Sequence, residues 1–216
     1  MRQIVYIYIS LIILSCSKKN ELIPFYNSSD FTPFFLNSTL EIEKKINHRI
    51  SDFNFKDHNN KIISNDSIEG KIHVANFFFT SCINICPNMT NNLKLVSDAF
   101  LNHPKVKILS FTVMPWVDDQ KKLNDYKNYN EIKSNNWHFL TGDKKEIYEL
   151  ARNSYFAEEN IGISNDLNDF LHTEYLILVD HKKRIRGIYN GSLKLDAIQL
   201  IKDIKVLLNN ENWYNI

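Results

Sequence analysis

From about Asn47 onward the chain alternates short apolar runs with amphipathic stretches, and their order predicts the fold. Phe53 and Phe55 alternate with polar residues, Asp57-His58-Asn59-Asn60 favours a turn, and Lys61-Ile62-Ile63 resumes the run, which predicts a hairpin. Glu69-Gly70-Lys71 turns the chain into an apolar, β-forming run over 72–79. That strand ends in Thr80-Ser81, followed by Cys82-Ile-Asn-Ile-Cys86-Pro87, and the proline suits the first turn of a helix. Met89, Leu93, Val96 and Phe100 then recur at helical spacing and predict one buried stripe.

The alternation continues to the end of the chain. Residues 106–113 predict a second buried strand, closed by Met114-Pro115-Trp116-Val117-Asp118-Asp119, with both aspartates read as a solvated helix start. Leu123, Tyr126 and Tyr129 predict a helix, and 137–140 a short strand. Asp143 with Glu146 resembles a capping box opening a helix with Ile147, Leu150 and Ala151 inward. Residues 154–169 read as the longest loop, 174–180 and 185–189 as an antiparallel pair, and 196–208 as the last helix. The order hairpin, βα, βα, βα, ββ, α predicts an α/β domain with a sheet covered on both faces.

Length and charge narrow the class. A chain of 216 residues with 44% hydrophobic content supports one core. With 26 basic and 25 acidic side chains and no basic block, it has no electrostatic footprint for nucleic acid, so none is expected as a partner. Five glycines and five prolines leave no low-complexity region.

The N-terminus bears on compartment. Residues 4–14 form an apolar run too short to span a bilayer comfortably, and Ile13-Leu14-Ser15-Cys16 resembles a bacterial lipobox. The expected division is a lipoprotein-type signal over 1–16 with lipid attached at Cys16, a tether and N-terminal extension over 17–46, and one domain over 47–216. This places the protein outside the cytoplasm, membrane-anchored and facing the periplasm. There the remaining cysteines, Cys82 and Cys86, are a disulfide, a redox pair or a metal site. A crosslink closing so short a loop would add little by chain entropy.

Three stretches together resemble the SCO/SenC family of thioredoxin-fold copper proteins. They are Phe78-Phe79-Thr80-Ser81-Cys82 with Ile85-Cys86-Pro87, Trp137-His138-Phe139-Leu140-Thr141-Gly142, and Leu171-His172-Thr173 before a strand ending Leu178-Val179-Asp180. The resemblance implies a thioredoxin-like three-layer fold with a central mixed sheet flanked by helices and an added N-terminal hairpin. It also implies Cys82, Cys86 and His172 as copper ligands, and a chaperone that delivers copper to, or prepares the cysteines of, the Cu(A) centre. The acceptor would be cytochrome c oxidase subunit II or another copper acceptor.

The donor types agree with that chemistry. Thiolates suit Cu(I), and an imidazole suits Cu(I) or Cu(II). Thioredoxin-like exchange enzymes resemble one another in pairing C-x-x-C with a late cis-proline. Here the spacing is one residue longer and no proline follows Pro115. The remaining alternatives are an extracytoplasmic thiol-disulfide oxidoreductase, the form in which the protein would be an enzyme, and a copper or redox sensor. Where family members commonly carry acidic residues, this chain has Met114, read as a core filler, and Leu171. His48, His58, His73, His103, His138 and His181 are read as structural or solvated.

Overall fold

The computed structural model describes residues 22–101, 103–157, 171 and 173–209. In chain order it forms β1 (Phe25–Tyr26), β2 (Pro33–Phe34), α1 (Thr39–Lys45), the hairpin β3 (Asn54–Asp57) and β4 (Ile62–Ser64), and a one-turn α2 (Asn65–Ile68). Two βα units follow, β5 (Ile72–Phe78) with α3 (Cys86–Ala99) and β6 (Val106–Thr112) with α4 (Gln120–Tyr129). Next come β7 (Trp137–Thr141), α5 (Lys144–Glu149) continuing as a π-helical turn over Leu150–Ser154, β8 (Tyr175–Val179), β9 (Ile185–Asn190) and α6 (Lys194–Asn209).

The strands make one mixed sheet in the order β2-β1-β9-β8-β5-β6-β7-β3-β4. Its centre, β5-β6-β7, is parallel, and β8, β9 and β3 join antiparallel. The parallel strands need crossovers, which α3 and α4 supply. Every residue of β5 is buried because both faces are covered. On one face Val74 and Phe78 meet Met89, Leu93 and Val96 of α3, Leu123 of α4 and Leu200 of α6. On the other, Ala75 and Phe77 meet Phe111, Phe53, Ile147 and Tyr155. A deeper polar thread runs across the middle, where Trp137 Nε1 donates to Ser110 Oγ and Ser110 Oγ donates to Asn76 Oδ1. These buried groups satisfy one another and pin the relative register of three parallel strands.

Two local expectations change. The stretch taken for tether and extension is packed structure from Ile23 onward: β1 pairs with β9, and Phe25, Ile42 and Ile46 form a satellite core. Arg186 holds it, donating from Nε to Pro24 O at 2.9 Å and from Nη2 to Ile23 O at 2.7 Å. Pattern reading misses this because the anchoring contacts go to residues about 160 positions away rather than to a local period. Tyr129 is 86% exposed although it shares a three-residue spacing with Leu123 and Tyr126. Steps of three fall short of a 3.6-residue turn, so the third residue has slid off the buried face.

Candidate metal centre

β5 delivers the chain to the dithiol loop at its C-terminal end, and α3 takes it away. Pro87 sits in the first helical turn, where a missing N–H costs nothing. Cys86 opens α3 and is 5% exposed, packed in the cluster with Met89 and Leu93, whereas Cys82 is partly buried against the same cluster. Both are free thiols. They lie within hydrogen-bond reach, the Cys86 thiol donating to the Cys82 sulfur.

That asymmetry separates the two titrations. Partial burial opposes ionisation of Cys82, but hydrogen bonds from the Cys86 thiol and from the backbone of Cys86, Asn84 and Ile85 outweigh it, and its pKa falls below the ordinary thiol value. Cys86 is pushed up to about 12, first by burial and then by the hydrogen bond it gives to Cys82. Iodoacetamide at neutral pH is therefore expected to modify Cys82 well before Cys86 in the reduced protein. Peptide mass spectrometry after a short exposure checks this, and equal labelling of the two would contradict the assigned asymmetry.

The structure brings Cys82 and Cys86 together, while His172 and Cys16 lie outside the described residues. The neighbours of position 172 are described. Leu171 is 1% exposed and Thr173 4% exposed. The Tyr148 hydroxyl donates to Val113 O at 2.8 Å and is also hydrogen-bonded to the backbone of Leu171. Leu171 shares its cluster with Val113, Phe79 and Met114, so the entry to β8 packs beside the end of β6 and the residue that leads into the dithiol loop. Met114 is partly buried in that cluster, in keeping with a packing role. Among the described residues no group of three or more His, Cys, Asp or Glu side chains is placed to hold a metal ion.

Asp118 departs from the sequence reading. Asp119 is the N-cap of α4, accepting from Lys122 N at 2.8 Å, but Asp118 is fully buried. Its Oδ2 accepts from Thr80 N at 3.0 Å and from Thr112 Oγ1, and its Oδ1 accepts from Thr80 Oγ1 at 2.6 Å. One position decides which of two adjacent aspartates can cap, and residue type alone does not reveal it. The signal in the sequence was the pair of threonines closing two strands that run parallel, since Phe78 registers with Thr112.

Three histidines away from the dithiol make contacts of a structural kind. His138 Nδ1 pairs with Asp57 at 3.0 Å, and His58 Nε2 lies 3.1 Å from Lys127 Nζ. Burial first and then Lys127 push the His58 pKa down to about 4, so its ring is neutral near pH 7. His48 Nε2 reaches Ser154 O at 2.7 Å, tying the π-helical turn to the segment before β3.

Residues 43–209 match the family model described as SCO1/SenC. The chain belongs to the SCO1/SenC family. Among curated relatives, the SCO1 protein homolog of Bacillus subtilis is 30% identical over 167 residues, spanning 76% of this chain and 86% of that protein. BsSco, a member of the Sco family of cytochrome c oxidase assembly proteins, is 28% identical, with a TM-score of 0.63 and coverage of 76% of this chain and 96% of its own. Bradyrhizobium japonicum ScoI, solved with copper bound, shares the fold at 23% identity and a TM-score of 0.58, covering 73% of this chain and 98% of its own. The SCO1/SenC fold is thioredoxin-like, as the three motif stretches implied, and the dithiol loop stands at the C-terminal end of the central strand β5.

Proposed function

We propose that this SCO1/SenC protein binds copper as cargo through Cys82, Cys86 and His172, and acts as a copper chaperone in cytochrome c oxidase assembly. The observation that carries the reading is the pair of reduced sulfurs, one partly exposed and one buried, in mutual hydrogen-bond reach. Two soft donors held that close suit Cu(I), and a third ligand of imidazole type extends the set to Cu(II). The partial exposure of Cys82 gives an acceptor thiolate a side from which to take the metal. The acceptor is the Cu(A)-bearing subunit II of the oxidase or a similar copper acceptor.

The same sulfurs support a second activity. Cys82 thiolate can attack an acceptor disulfide, and Cys86 can then displace the acceptor by closing a Cys82–Cys86 disulfide. Two electrons and two protons end on the acceptor's dithiol. Reduction of this kind would prepare the cysteines that later receive copper. The protein works at the outer face of a bacterial membrane, held by lipid on Cys16. Among the described residues no helix is long and apolar enough to cross a bilayer.

Titrating the reduced protein with Cu(I) against a chromophoric chelator tests the reading. One copper per chain is expected. His172→Ala is expected to weaken binding by at least about tenfold while leaving oxidation of the dithiol to a disulfide intact. Unchanged affinity in that variant would remove His172 from the site. Rapid reduction of model disulfides with negligible copper uptake would leave only the oxidoreductase.

A further inference from the structure

We propose that Asp118 is the positioning residue of the dithiol loop, holding Cys82 and Cys86 at the spacing copper requires. The inference rests on the copper reading for its functional half and on geometry alone for the rest.

Asp118 is fully buried, where a polar group left without hydrogen-bond partners is costly. It is held by three donors instead, and two of them belong to Thr80, which stands two residues before Cys82. Between Thr80 and Asn84 the backbone makes one other backbone hydrogen bond, the long 3.3 Å contact from Cys82 N to Phe79 O. The loop's remaining internal hydrogen bonds go to the Cys82 sulfur, a weak acceptor, and the Asp118 carboxylate adds a tie through oxygen to the loop's first residue.

The other end of the tie is firm. Thr112 closes β6, and its hydroxyl accepts from Met114 N at 3.1 Å while donating to Asp118. Asp118 N and Val117 N both donate to Met114 O at 2.8 Å, which folds 114–118 into a tight turn. Asp118 thus transmits the fixed end of one parallel strand to the loop at the end of its neighbour. An amide in the same place can keep all three contacts, because the Thr80 hydroxyl can turn to accept. Geometry rather than charge is the property that matters.

The test reads hydrogen–deuterium exchange over 79–86 in the copper-free, reduced protein, and Cu(I) affinity by chelator competition, in the full chain. Asp118→Ala is expected to speed exchange in that segment and to weaken Cu(I) binding, each by about tenfold or more. Asp118→Asn is expected to stay within about threefold of wild type in both. If Asp118→Ala does not fold, Thr80→Val, which removes one of the three donors, is expected to shift both readouts in the same direction by at least about threefold.

Ile42→Ala, a cavity in the satellite core, supplies a destabilised control that should move neither readout. Unchanged exchange over 79–86, unchanged affinity in a loosened variant, or an equal effect from Ile42→Ala would each overturn the proposal. A wild-type chain that takes up no Cu(I) would sink the copper reading alone. The exchange measurement needs no metal and still decides whether Asp118 holds the loop.

Discussion

Asp180→Ala is expected to lower the unfolding free energy by about 3–5 kcal/mol, the loss typical of breaking a buried ion pair from one side. Asp180 is 1% exposed, and its Oδ2 accepts from Arg184 Nε at 3.0 Å and from Arg186 Nη1 at 3.3 Å. Its Oδ1 accepts from Lys182 N and Arg184 N, shaping the turn between β8 and β9. Burial works against its charge, but Arg184 and Arg186 outweigh that and hold its pKa below the ordinary carboxylate value. Both guanidinium groups are nearly inaccessible and lie on the Phe25 ring, at 5.1 and 3.7 Å from its centroid. Removing the carboxylate leaves two buried guanidinium groups side by side, with Glu43, 3.3 Å from Arg184 Nη1, still beside one of them. Because Arg186 also grips Pro24 and Ile23, the N-terminal segment should loosen at lower denaturant than the rest. Urea unfolding of wild type and variant measures the difference, and a loss below about 1 kcal/mol would show that the network is not stabilising in this way.

Cys86→Ser is expected to leave the fold in place and to reduce Cu(I) affinity by roughly two to three orders of magnitude. Four-ligand metal sites of the zinc-finger kind supply about 10–16 kcal/mol, so one thiolate contributes on the order of 3 kcal/mol or more, a factor of at least roughly 100. Serine keeps the size and can still donate to the Cys82 sulfur, but its oxygen is hard and stays protonated. Chelator competition with the purified variant measures the affinity, and circular dichroism confirms that the fold survives. Copper bound as tightly as in wild type would mean that Cys86 is a structural thiol and that Cys82 is the one sulfur serving the metal.

Much of this architecture was written in local patterns. The alternation in β3, the unbroken apolar run of β5, the four-three-four spacing of Met89, Leu93, Val96 and Phe100, and the Asp143 cap, which accepts from Glu146 N at 3.1 Å, all act over a few residues and are visible as local patterns. The thiol pair was legible for the same reason, since a strand end, two sulfurs and a helix-opening proline are contiguous. What escaped pattern reading depends on partners far along the chain. Asp118 looks like half of an exposed acidic pair until Thr80 comes from 38 residues away to meet it. Arg186 looks like a charge on a short strand until it closes on backbone carbonyls at Ile23 and Pro24. The π-helical turn over 150–154 left no recognisable mark, because its extra residue per turn is a response to packing rather than to composition.

The docking of residues 22–46 onto the sheet edge changes how far the domain can roam. A free leader of that length would let the dithiol sweep a volume on the order of 100 Å in radius above the bilayer. With β1 clamped against β9, the packed body begins within about six residue steps of Cys16 along the chain. A lipid on Cys16 would then hold the start of the packed body, at the β1 edge of the sheet, within about 20 Å of the membrane surface.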